Sequence, residues 1–152
     1  MSFSGIDHEG IGDVYLKSVV TVLIDGVWFE AKHVANILGS PLFMISACNP
    51  GVELSAEENA RLTQELEDKL TAAGYHWKHA KGKDPDSDYF EPSYLVTNIE
   101  QQDALTIARD YKQIAIFKID AISLTVIMCD TGEEKSLTFL SEAVAQTFAE
   151  AD

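Results

Sequence analysis

The stretch from Leu42 to Ser93 constrains the fold of this chain more than any other. It opens with a continuous apolar run, Leu42 to Ala47, as expected of a central strand covered on at least one face. Asn49-Pro50 ends that run, and Ser55-Ala56-Glu57-Glu58 spells a capping box, with Ser55 as N-cap and Glu58 at the third helical position. Leu62, Leu66, Leu70 and Ala73 then form one helical stripe, which Gly74 is placed to end as a C′ residue. Tyr75 to Ala80 reads as a strand polar enough for a sheet edge, and a Gly-Lys-Asp-Pro loop leads on to Glu91-Pro92-Ser93.

The flanking elements extend this pattern. Ser93 to Thr97 is a further strand, and Asn98 with Gln101 resembles a second capping arrangement. Ala104, Leu105, Ala108 and Tyr111 supply the inner face of the helix that follows. Ile114 to Ile119 and Ala121 to Met128 are two more strands, with Asp120 between them. From Leu42 to Ile119 the order is β-α-β-β-α-β, the ferredoxin-like split arrangement. Right-handed crossovers place the first and third of these strands side by side and antiparallel, with both long helices on one face. Upstream, Lys17 to Ile24 and Val27 to Phe29 make a hairpin at Asp25-Gly26, and Ala31 to Leu38 a short helix stopping at Gly39. Downstream, Leu137, Leu140, Val144 and Phe148 predict an amphipathic tail helix over 136–150. The expected fold is therefore α+β: one domain over residues 1–152, with a ferredoxin-like core, an added N-terminal hairpin, an extra strand and a C-terminal helix.

Bulk properties narrow the function classes. With 46% hydrophobic and 24% charged residues, 152 residues suffice for one domain with a real core. The net charge of −14 opposes binding to phosphate backbones and anionic membranes, so neither nucleic acid nor membrane is an expected partner. Cys48 and Cys129 have no CxxC neighbour, so neither a disulfide framework nor a zinc site is indicated. The N-terminus lacks the basic and apolar regions of a signal peptide, and Asn36, Gly39, Pro41, Asn49 and Pro50 interrupt the one long uncharged span. A cytoplasmic protein with buried free thiols is the expectation.

The topology makes a geometric claim about function. One end of the sheet should gather the end of the first core strand, the start of the first long helix, the turn between the second and third core strands, and the end of the second long helix. Asn49, Asn59, Lys83, Asp84, Glu91, Ser93, Arg109 and Gln113 should therefore cluster, giving amides, carboxylates, two cations and a helix N-terminus. Each has a plainer reading: Asn49 can shape its own turn, and Glu91 with Arg109 can form a structural ion pair. Other motifs are weaker. Asp84, Asp86 and Asp88 start like a calcium loop, but Tyr89 stands where glycine is needed and Leu95 where the closing Glu is needed. His76 and His79 fall on opposite faces of a strand, so no shared metal is expected. Lys78, Lys81 and Lys83 with Trp77 could hold one anion. Cys48 lacks an evident base and reads as structural. No cofactor is indicated.

The segment Ile45 to Phe117 resembles a bacterial family catalogued as domain of unknown function 3293. The matching pieces are Asn49-Pro50, Ser55 with Glu58-Asn59-Ala60-Arg61, Gly74, Gly82 with Asp84-Pro85-Asp86, Glu91-Pro92-Ser93, and Gln113 with Ala115 and Phe117. The second long helix ends in Asp110-Tyr111-Lys112-Gln113, where the family typically has a Gly-Gln pair. The resemblance marks the family-like core, about 42–129, and names no reaction.

Two functions fit these observations. One is a domain that binds a small polar or anionic ligand, Lys83 and Arg109 taking its charge and Asn49, Asn59 and Gln113 its polar groups; an enzymatic variant would use Glu91 or Asp84 as base. The other is an interaction module, working through the acidic surface and the tail helix on a protein partner, a second copy included.

Overall fold

A computed structural model describes residues 19–39, 41–83 and 90–138. Eight strands and three helices follow in the order β1 (Val19–Ile24), β2 (Val27–Glu30), α1 (Ala31–Leu38), β3 (Leu42–Ile45), α2 (Ala56–Ala72), β4 (Trp77–Lys83), β5 (Phe90–Val96), α3 (Gln101–Asp110), β6 (Ala115–Ile119), β7 (Ser123–Met128) and β8 (Glu134–Thr138). The local signals explain most of these. Asp25 and Gly26 both take positive φ, 50° and 80°, the two-residue turn that matches strand twist and closes β1 on β2. Ser55 accepts the Glu58 N–H at 3.2 Å and caps α2. Gly74, at φ 82°, ends α2, and the N–H of Tyr75 reaches back to the Leu70 carbonyl at 3.0 Å.

All eight strands join one antiparallel sheet in the order β2-β1-β4-β5-β3-β6-β7-β8. The adjacency of β3 and β5, with Met44 opposite Leu95, is the one the crossover argument expects. The ferredoxin-like fold class does not hold, however. The central strands are the middle of one continuous, curled half-barrel, because β1 carries the ladder beyond β4, and β7 and β8 carry it beyond β6. Strand β4, expected at an edge, is interior, flanked by β1 and β5. Its polar residues reflect incomplete helical cover, not an open ladder.

The two faces carry separate cores. Val22, Leu42, Met44, Leu95, Phe117 and Val126 share one face with Ala31, Val34 and Ala35 of α1. Helix α1 touches both the β1–β2 hairpin and β6, about 19 Å apart in a flat sheet at normal strand spacing, so it lies within the curl. Phe43, Ile45, Tyr94, Val96, Ile116 and Ile127 face the other way, under Leu66 and Leu70 of α2 and Ala104, Leu105 and Ala108 of α3. Strand β3 is buried on both faces, which is why its sequence is apolar without alternation. Two further expectations are corrected. Asn98 does not cap α3, whose N-cap is Glu100 with no side-chain cap bond. Asn98 instead accepts the His76 N–H and donates to the Gly74 carbonyl. Leu137, expected to open the tail helix, lies in β8; the rest of that stripe is outside the described residues.

Candidate functional site

The chain leaves β3 at the end of the sheet where α2 starts and α3 finishes. Asn49 turns it there with φ 48°, a left-handed conformation that Asn tolerates better than most residues. Its N–H donates to Asn59 Oδ1 at 2.8 Å, and its own Oδ1 accepts from Asn59 Nδ2 at 2.9 Å and from the Leu54 N–H at 2.9 Å. Two amides thus tie the loop to the first turn of α2. On the other side, the buried Gln113 donates from Nε2 to the carbonyls of Cys48 and Tyr111, at 2.9 and 3.1 Å. Arg109, at the end of α3, donates Nε–H to the Cys129 carbonyl.

The remaining candidates lie farther along the same end. Ser93 is buried, and its hydroxyl donates to the Glu91 carbonyl at 3.2 Å. Glu91 is buried and stands opposite Gly82 in the β4–β5 ladder. Glu91 and Arg109 do not pair, since β3 and β6 separate β5 from the end of β7, just past which Arg109 bonds the Cys129 carbonyl. Lys83 ends β4 between Val19 and Phe90, two strands from β3. Asp84 is outside the described residues. The cluster therefore gathers Asn49, Asn59 and Gln113 as a brace on backbone groups, while Lys83 stands apart.

The thiol of Cys48 sits inside this brace. Its Sγ is 3.6 Å from Thr63 Oγ1 and 3.8 Å from the Pro92 carbonyl. Burial pushes its pKa up, and the negative charge of Glu91 adds to that, so it is a poor nucleophile near neutral pH. Burial likewise raises Cys129 to about 11. The hydroxyls of Tyr94 and Tyr111 donate to Glu67 and Glu65, at 3.2 Å each; burial and those carboxylates hold both phenols protonated. Among the described residues, no cluster of His, Cys, Asp and Glu could hold a metal ion.

Residues 45–116 match a protein family described only as of unknown function, domain of unknown function 3293. This segment belongs to that family. The matched pieces meet in space. Asn49 bonds Asn59, Ser55 bonds Glu58, Gly82 faces Glu91, and Gln113 holds the Cys48 carbonyl. No curated protein and no solved structure matches the chain. No helix among the described residues is long and apolar enough to cross a membrane.

The departure from the family's Gly-Gln pair is absorbed by strain. Lys112 takes the left-handed conformation, φ 50°, that a glycine would adopt freely. The α3 terminus is otherwise a complete Schellman motif: the N–H groups of Gln113 and Lys112 reach the carbonyls of Ala108 and Arg109, each at 3.0 Å. The turn survives, and it aims Gln113 at the Cys48 carbonyl.

The opposite end of the sheet holds a cleft of about 500 Å³, lined by Pro41, Phe43, Thr97, Asn98, Ile99, Glu100, Gln101 and Lys118. Lys118 is half-buried on β6, beside Phe43 of β3, and has no ion pair among the described residues. The first turn of α3 opens onto the same cleft without a side-chain cap. None of these residues was singled out from sequence as a ligand group. The available signal was Lys118 itself, the one charged residue in the apolar strand Ala115–Ile119, which marks a gap in the cover of that face.

Proposed function

We propose that this chain is a binding domain for a small polar or anionic ligand, held in the cleft between β3, β6 and the start of α3. The observation that carries the reading is the position of Lys118: a half-buried cation in a cleft wall, facing an uncapped helix start. Uncapped N–H groups and a half-buried ammonium both favour negative charge or a polar acceptor. The amides at the other end favour a structural role there, because Asn49, Asn59 and Gln113 spend their bonding capacity on backbone and on each other. Binding is favoured over catalysis because burial keeps Cys48 protonated near neutral pH. Buried free thiols support a reducing, cytoplasmic setting.

Titration with inorganic phosphate, followed by two-dimensional amide NMR, tests the reading. Saturable shifts at Gln101, Gln102 and Asp103, lost in Lys118→Gln, are expected. Absence of saturable shifts, or their persistence in that variant, refutes it.

A further inference from the structure

Among the described residues strand β2 is an edge of the sheet, blunted only by its shortness and by the charge of Glu30. It reads Val-Trp-Phe-Glu, with no proline and no lysine, the usual protections of an exposed edge. Val27 is 53% exposed, Trp28 39% and Phe29 40%. The register decides which peptide groups face outward. The two-residue turn makes Ile24 and Val27 a hydrogen-bonded pair, so by alternation Val22 and Phe29 are also bonded inward. Trp28 and Glu30 therefore turn their peptide groups away from β1.

We infer that two copies of this chain associate through β2, antiparallel and related by a two-fold axis at Phe29. In that register Trp28 of one copy stands opposite Glu30 of the other. The Glu30 N–H then donates to the Trp28 carbonyl of the other copy, twice by symmetry, so one short segment supplies both donor and acceptor. The exposed Phe29 side chains meet across the axis. Charge permits a second copy at this corner. Elsewhere a net −14 makes like chains repel, but here Glu30 is offset by Lys32, whose Nζ is 3.6 Å away, and Lys81 Nζ lies over the Trp28 ring at 4.0 Å. The surrounding field still opposes association, so the dimer strengthens as salt screens it.

Sedimentation equilibrium of the full chain, from micromolar to near-millimolar protein and from low to high salt, tests this. The decisive variant is Glu30→Pro. Glu30 has φ −66°, the value proline requires, and its N–H faces outward, so the substitution spares the inner ladder and removes the intermolecular donor along with a carboxylate, whose loss Glu30→Ala controls for. A wild-type dimer that gains strength with salt is expected. Glu30→Pro should raise its dissociation constant by roughly tenfold or more, while Glu30→Ala, which keeps the N–H, leaves it within about twofold. Phe29→Lys provides a second dissociating variant should Glu30→Pro alter the melting curve. A monomer under all conditions overturns the inference, as does a dimer that persists unchanged in Glu30→Pro and Phe29→Lys.

Discussion

Asn59 grips Asn49 from two sides. Its Oδ1 accepts the Asn49 N–H at 2.8 Å while its Nδ2 donates to the Asn49 Oδ1 at 2.9 Å. Because one contact is a backbone N–H, the orientation of the Asn59 amide is fixed by chemistry. The pair holds a left-handed residue at the end of a fully buried strand, so it does for the loop what a strand partner does for β3.

Asn59→Ala should therefore cost about 1–3 kcal/mol, since it strands the half-buried Asn49 N–H and half of the Asn49 Oδ1 bonding. Asn49→Ala should cost at least as much, adding left-handed strain to the lost bonds. The double variant should fall well short of the sum, because both remove one network. Denaturant melts of the three variants check this. Additive losses would mean that the two residues act separately.

The brace was legible from sequence only in part. Asn49, Asn59 and Gln113 were expected at one end of the sheet because strand and helix order fixes where those ends fall. The local punctuation at Asp25-Gly26, Ser55 and Gly74 also gave the elements correctly, since each acts within a few residues. Long-range pairing was readable between β3 and β5 but not where β1, β7 and β8 extend the sheet. Polar residues within Tyr75 to Ala80, such as Lys78 and His79, made β4 look like an edge, yet β1, some sixty residues earlier, pairs along it from Val19 to Val22. Leu137 carried a helical spacing that an alternating strand satisfies equally well over so short a stretch. The cleft was invisible because it depends on where α3 starts, and Asn98, which resembled its cap, is spent on the turn at Gly74.

Lys112→Gly should stabilise the protein by about 0.5–1 kcal/mol. The exposed lysine occupies a left-handed position, and glycine removes the steric cost there at some expense in unfolded-state entropy. Lys112→Val should destabilise by more than 1 kcal/mol, roughly, because a β-branched residue is worse still at positive φ. Thermal melts of both decide; a neutral or unfavourable glycine would mean that the Lys112 side chain holds the loop at Gly51, whose added Cβ would stand 3.9 Å from it.

The protein should not bind duplex DNA at physiological salt. Its charge of −14 opposes the counterion release that drives such binding, and Lys78 lies on the opposite face of β4 from Lys81 and Lys83, which disperses these lysines. A fluorescence-anisotropy titration checks this. Micromolar affinity at that salt would show a basic surface that overrides the global field.

Alkaline pH should destabilise the fold through Cys129. Its folded pKa is about 11, against an ordinary 9.0, because burial disfavours the thiolate and outweighs the nearby Arg109. Between those values the unfolded chain releases the thiol proton and the folded chain keeps it. The folded state then holds more protons, so stability falls as pH rises. The contribution is full below pH 9.0 and is lost progressively up to about 11, to a total on the order of 3 kcal/mol. Tyr111, raised from 10.0 to about 12 by burial and Glu65, extends the same loss to higher pH. Urea melts at stepped pH should show the decline, and Cys129→Ala should make its first part shallower, leaving the shares of the buried Cys48 and of Tyr111. The native thiols should also resist iodoacetamide near pH 8 and react on unfolding, since both are buried and protonated. Rapid alkylation of the folded protein, or an unchanged slope in Cys129→Ala, would show that the cysteines open to solvent without global unfolding.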